Sequence, residues 1–129
     1  MGPKVTVADQ IWNRAALERG GAAPRSGDRA LASLLLVHGL VMNGGVHHAL
    51  ESAAPAELAA AADGFEFFGF HDVAAVFRGA ADDPALSKWT AETEVTANLR
   101  YEKLIPSDSY LEARFKEVLG ERASEFAPL

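Results

Sequence analysis

The 129-residue chain contains no cysteine, which excludes disulfides, thiolate metal sites and cysteine nucleophiles together. That absence accords with a reducing compartment, and a cytoplasmic location is the expectation. Positive charge is also short. Twelve Lys and Arg face eighteen Asp and Glu, for a net charge of −6. Proteins that bind nucleic acid directly, or an anionic membrane, normally present a basic surface. Neither is expected here, whereas a basic protein partner fits the sign.

Long apolar runs are missing as well. The opening MGPKVTVADQ has no apolar core of the signal-peptide kind. Residues 31–42, the longest apolar stretch, are interrupted by Ser33, His38 and Gly39 and fall short of the roughly 20 residues that a bilayer span needs. Period-2 alternation never coincides with a hairpin turn, which leaves no candidate sheet. There is no internal repeat, and the one linker-like stretch, GGAAPRSGD, is too short to separate domains. A single domain over residues 1–129 is expected, long enough to bury roughly two-thirds of its unfolded surface.

What the chain has in quantity is helical periodicity. Thr6 and Asp9 form a capping-box pattern ahead of Ala8, Ile11, Trp12 and Ala15, so a first helix runs to about Arg19 and stops at Gly20-Gly21. Ser26 or Asp28 caps a second. Its stripe is Leu31, Leu34, Leu35, His38, Val41 and Met42, and it reads as the central core helix. Asn43-Gly44-Gly45 ends it, because these residues accept the positive φ of a helix terminus. A short third helix buries Val46, Ala49, Leu50 and Ala53. Pro55 opens a fourth with Leu58, Ala61, Ala62, Phe65 and Phe68 inside, and Gly69 closes it. His71 or Asp72 starts a fifth over Val73, Val76, Phe77 and Ala80. Asp82-Asp83-Pro84 is a further start signal, Thr90 caps a helix carrying Val95, Leu99 and Leu104, and Ser107 or Asp108 caps the last, with Leu111, Phe115, Val118, Leu119 and Phe126 inward. The expected fold is all-α, a compact bundle of six to seven helices.

Catalytic chemistry finds no foothold in this pattern. No serine sits in G-x-S-x-G, and the glycines form neither G-x-G-x-x-G nor a phosphate-binding loop. Asp63 with Glu66, or Asp82 with Asp83, read as helix-end carboxylates rather than an acid–base pair. No catalytic residue and no cofactor is assigned, and the chain is read as a non-enzyme. One alternative is a divalent-metal or small-ligand site built from His38, His47 and Glu51, the last two at i, i+4. HExxH and paired ExxH patterns are absent. The aromatic run Phe65, Phe67, Phe68, Phe70 either packs inward or marks a contact between proteins. Charge is uneven: residues 57–129 hold fourteen acids and seven bases. Within that stretch Glu112, Glu117, Glu121 and Glu125 recur along the last helix, away from its apolar stripe. They form either an ordinary solvated face or an acidic strip that meets a basic partner.

LLLVHGLVMNGGVHHAL, with its helix–Asn-Gly-Gly–helix pattern, resembles the DNA-mimic protein domain family, small all-helical bacterial proteins once grouped as a domain of unknown function. GFHDVAAVFRGA and SDSYLEARFKEVL are similar to that family's later segments, and the resemblance covers about residues 29–126. It implies an all-α fold, often dimeric, in which an acidic surface imitates duplex DNA and occupies a basic DNA-binding protein such as a transcription regulator. It brings no catalytic residue. Val46 stands where the family usually has an aromatic, and the acidity is lower than is usual there. Duplex DNA carries one charge per ~1.7 Å; a net charge of −6 cannot match that density over a broad face, and although local clusters could, the bases interleaved on the last helix argue against it. A toxin-neutralising partner protein is the remaining alternative.

Overall fold

In the computed structural model, which describes residues 5–81 and 86–129, six α-helices and two 3-10 turns are present, with no strand among the described residues. Helix α1 (Val7–Glu18) starts as the capping box requires. Thr6 Oγ1 accepts the Asp9 N–H at 3.1 Å, and the Asp9 carboxylate accepts the Thr6 N–H at 3.0 Å. Ile11 and Ala15 are buried, and the chain leaves the helix through positive φ at Arg19, Gly20 and Gly21.

Helix α2 (Ser26–Ser52) is the core helix, 27 residues long. Its N-cap is Arg25, and neither Ser26 nor Asp28 holds that position. Asp28 lies one turn inside, fully buried, and its Oδ2 accepts the Arg25 N–H at 3.0 Å. The buried stripe is Leu31, Leu34, Val37, His38 and Val41; Leu35 is half-buried and Met42 is exposed. The stripe is rotated relative to the expected one because neighbours on different sides cover it, so Val37 is enclosed where simple periodicity leaves it outside.

The expected stop at Asn43-Gly44-Gly45 is a kink within this helix. Only Gly45 departs from helical geometry, at φ 92° and ψ 175°, and helical bonding resumes at once. A side chain there would meet both a backbone region reserved for glycine and the Asn98 amide, 2.9 Å from an added Cβ. The Val46 N–H, freed from the ladder by the kink, donates to Asn98 Oδ1 at 2.8 Å. Val46, Ala49, Leu50 and Ala53 then point inward as expected. By length and apolar content α2 resembles a membrane span; in the fold it is the element that α1, α3 and α5 pack against.

Helix α3 (Pro55–Phe67) begins with Pro55 in its first turn and buries Leu58, Ala61, Ala62 and Phe65. Gly64 lowers intrinsic helicity by about 1 kcal/mol, yet a Cβ there would run into the Ala30 carbonyl of α2. The glycine allows the two helices to cross closely. Gly69, at φ 84°, reverses the chain into α4 (His71–Ala81), where Val73, Ala74 and Phe77 are buried. The Asp82-Asp83-Pro84 start signal lies outside the described residues. A 3-10 turn at Leu86–Lys88 leads to α5 (Ala91–Leu104), capped by Thr90 Oγ1 on the Thr93 N–H at 3.1 Å. Helix α6 (Asp108–Glu121) is capped by Ser107 Oγ on the Tyr110 N–H at 3.1 Å. A second 3-10 turn, Ala123–Glu125, brings Phe126 back into the core.

The aromatic run packs inward. Phe65 stacks on Phe77 at 5.7 Å, Phe68 and Phe126 both meet Phe115, and Phe70 lies against Tyr110. Phe67 contacts Phe68 and Phe126, and the Arg122 guanidinium sits 4.2 Å above its ring. Asp63 and Glu66 both pair with Arg78, each at 2.6 Å, which ties α3 to α4.

Candidate functional site

Helix α5 contributes one fully buried residue, Tyr101, and leaves most of its surface to solvent. It packs along α2 where α2 kinks, and His38, His47 and Asn98 make their hydrogen bonds at that contact. His38, on the first limb of α2, is nearly enclosed. Its Nδ1 lies 2.6 Å from the Tyr101 hydroxyl and its Nε2 lies 2.7 Å from Asp108 Oδ1. An ionised carboxylate only accepts, so Nε2–H donates to Asp108 and a neutral ring accepts the Tyr101 O–H at Nδ1. Burial first, and then the Asp108 charge, push the Tyr101 phenol well above its ordinary range. A phenol held neutral is a poor nucleophile, so this hydroxyl–imidazole–carboxylate chain joins α2, α5 and α6 without activating the oxygen. It borders an open cleft of about 420 Å3 that also takes in Met42, Asn43, Gly45 and Asn98.

Past the kink, His47 forms a second junction. Its Nε2 faces the Leu86 carbonyl at 2.9 Å, and its Nδ1 faces Glu51 Oε1 at 3.0 Å and Glu94 Oε1 at 3.2 Å. All three partners accept only, an arrangement satisfied in full by a ring with hydrogen on both nitrogens. The ring also lies 5.2 Å from Trp89, so one side chain fastens α2, the 3-10 turn and the start of α5.

The supposed ligand set does not assemble. His38 turns to Tyr101 and Asp108, while His47 and Glu51 face Glu94 and Leu86. No group of three or more metal-ligating side chains is arranged for a metal among the described residues. The physical reason is their placement about the kink: His38 stands on the limb before Gly45, His47 on the limb after it, and the positive φ of Gly45 turns the second limb so that the two rings meet different neighbours.

Exposed residues give this region its character. Glu92, Val95, Leu99 and Glu102 fall at i, i+3, i+7 and i+10 of α5, one continuous outward stripe. Val95 and Leu99, apolar residues at helical spacing on this helix, are 55% and 61% exposed, and Met42 across the cleft is 63% exposed. Their exposure follows from α5 touching the body mainly through Asn98, Tyr101 and Ile105. Asp108 projects from the same end with 73% of its side chain accessible.

On α6, Glu112 pairs with Lys116 at 3.3 Å and Glu117 with Arg114 at 3.5 Å. Glu125 lies in the 3-10 turn beyond the helix and approaches Arg122 at 3.8 Å, while Glu121 makes no ion pair among the described residues. Sequence reasoning did not single out Tyr101, Asn98 or Asp108 as junction residues. The available signal was their spacing: Asn98, Tyr101 and Ile105 follow the i, i+3, i+7 pattern of a helix face.

Among the comparisons with known proteins, the family model described as DMP19-like protein matches residues 23–127. No curated protein and no solved structure matches the chain. The matched region takes in every described helix except α1, together with the Asn43-Gly44-Gly45 kink and both histidine junctions; the chain belongs to the DMP19-like family of DNA-mimic proteins.

Proposed function

We propose that this chain is a non-enzymatic, protein-binding regulator of the DNA-mimic type, which engages a basic DNA-binding protein through the acidic surface of its C-terminal half. The observation that carries the reading is the charge asymmetry: fourteen acids and seven bases over residues 57–129, in a member of this family. Glu117 and Glu121 share one edge of the proposed contact, Glu125 follows in the 3-10 turn beyond them, and Glu112 lies on the other flank of α6. Glu92, Glu102 and Asp108 extend the contact onto the α5 side, and neither glutamate there has an ion-pair partner among the described residues. This second edge is less neutralised than the first, where Arg114, Lys116 and Arg122 interleave.

Density sets the kind of mimicry. Residues 112–121 of α6 rise about 14 Å at ~1.5 Å per residue. Over that length a duplex carries about 8 charges, and the helix carries Glu112, Glu117 and Glu121, with Glu125 in the turn beyond. The surface therefore acts by steering and local ion pairing rather than by copying two phosphate strands. A homodimer strengthens it. Val95, Leu99 and Met42 are the apolar residues through which a second copy would join, bringing two acidic edges together.

The test is retention of DNA-binding proteins on the immobilised chain across salt, from about 50 to 500 mM, where the Debye length falls from roughly 14 to 4 Å. Binding that weakens steeply supports the reading. Retention that ignores salt, or no retention, overturns it.

A further inference from the structure

We propose that a second surface, the groove between α1, α2 and α3, docks an amphipathic helix of another protein whose edge is acidic. The groove measures about 900 Å3 and is floored by small side chains, among them Ala16, Ala30, Ser33 and Ala60. Leu17, 82% exposed, and Leu36 stand on its sides. Small residues alone define no site; the charges around them supply the direction. Arg19 and Arg29 line the groove and are exposed, and their guanidinium groups make no hydrogen bond or ion pair among the described residues. The acids that line it are already engaged. Glu57 Oε1 accepts the Ala54 N–H at 2.8 Å, and Asp63 is paired with Arg78 at 2.6 Å. In a protein of net charge −6, the two guanidinium groups of this groove outnumber its one carboxylate without an ion pair, Glu57.

Arg19 adds an independent observation. It is the C-cap of α1 at φ 54°, the only non-glycine residue with positive φ among those described, and two positive-φ glycines follow it. The left-handed region is unfavourable for a residue with a Cβ and natural for glycine. Here the position keeps an arginine whose guanidinium meets nothing inside the molecule to offset that strain. A carboxylate supplied from outside would engage it, since guanidinium–carboxylate pairs form in bidentate geometry. The wall that carries Ala16, Leu17 and Arg19 belongs to α1, which lies outside the matched residues 23–127. The groove is thus partly built by a helix that the family pattern does not include. An occupant that fits presents Ala and Leu at i, i+4 to the floor and glutamates along the edge that meets Arg19 and Arg29.

Two synthetic helical peptides with the same Ala/Leu ridge, one edged with glutamate and one with lysine, test this by fluorescence anisotropy against the whole protein. The overall negative charge favours the lysine peptide at long range, so a preference for glutamate reports the groove. Saturable binding of the glutamate peptide, about tenfold tighter than the lysine peptide, is expected. Arg29→Gln and Leu17→Glu should each weaken it severalfold with the fold intact by circular dichroism. Arg19→Gly should weaken binding while the melting temperature holds or rises, a split that a purely structural role for Arg19 would not produce. Equal or tighter binding of the lysine peptide, no saturable binding of the glutamate peptide, or unchanged affinity in Arg19→Gly would overturn the proposal.

Discussion

Replacing Asp28 with alanine should destabilise the protein by about 3–5 kcal/mol, the range for breaking a buried ion pair. The carboxylate has no solvent exposure and accepts three hydrogen bonds. They come from Arg14 Nη2 at 2.8 Å, the Arg25 N–H at 3.0 Å and the Ala127 N–H at 2.7 Å. It therefore holds together α1, the start of α2 and the C-terminal segment. Arg14 completes the same knot by donating to the Ala127 and Pro128 carbonyls at 2.9 and 3.1 Å. Without Asp28, two backbone N–H groups lose their acceptor at about 1–3 kcal/mol each, and the guanidinium loses its counter-charge. Arg14 keeps 15% side-chain exposure, so water reaches it and the loss stays within that range instead of summing fully. Against a total stability of about 5–15 kcal/mol, this is a large fraction. At roughly 3–5 °C per kcal/mol for a domain of this size, it corresponds to a fall of about 10–20 °C in Tm. Urea denaturation followed by circular dichroism measures it. Arg14→Ala and the double variant close a cycle whose coupling energy should be about 1–3 kcal/mol. A loss below about 1 kcal/mol in Asp28→Ala, or additive single variants, would refute the argument that this carboxylate joins the three segments.

Glycine replacements should separate by mechanism. Gly45→Val and Gly44→Val should both lower Tm, the first through its positive φ and the Asn98 contact, the second against the His48 ring 2.6 Å from an added Cβ; Gly64→Ala should destabilise by about 1–3 kcal/mol as overpacking against the Ala30 carbonyl. Tyr101 should titrate late. Burial raises its folded pKa above the ordinary value of 10.0, so the stability it contributes is complete below about pH 10 and is lost as pH rises from there toward the folded value. Tyr101→Phe should flatten that alkaline limb in urea melts, and an unchanged limb would contradict the assignment. Leu99→Glu should leave stability within about 0.5 kcal/mol of wild type, as an exposed substitution. It should shift any dimer toward monomer in light scattering, whereas a dimer indifferent to Leu99→Glu would place the joining surface elsewhere.

Much of the architecture was legible because it is written in local signals. Thr6, Thr90 and Ser107 cap the helices that the sequence assigns to them, and Gly69 ends α3 with positive φ. Where reading failed, the cause was tertiary. Val95 and Leu99 lie at helical spacing, but periodicity describes one helix and says nothing of whether a neighbour covers it. Asp28 reads as a cap from its position near a helix start; its burial depends on Arg14 and Ala127, far away in the chain. His38 and His47 read from the sequence as candidate metal ligands with Glu51, and the structure separates them. Their partners Tyr101, Asp108 and Glu94 stand tens of residues away, and with His38 before the Gly45 kink and His47 after it each ring meets different ones. The aromatic run packs inward because Arg122, Phe126 and Tyr110 return to cover it.

An acidic surface that competes with DNA for a basic protein should displace the duplex from it. A DNA-binding regulator retained by the chain is bound to its labelled duplex, and the chain is added in increasing amounts while fluorescence anisotropy follows the duplex. Release of the duplex is expected at low salt, weakening as salt rises, and reduced in a variant carrying Glu92→Gln, Glu102→Gln and Glu121→Gln. A ternary complex of regulator, duplex and chain, or release untouched by salt and by those substitutions, would contradict that competition.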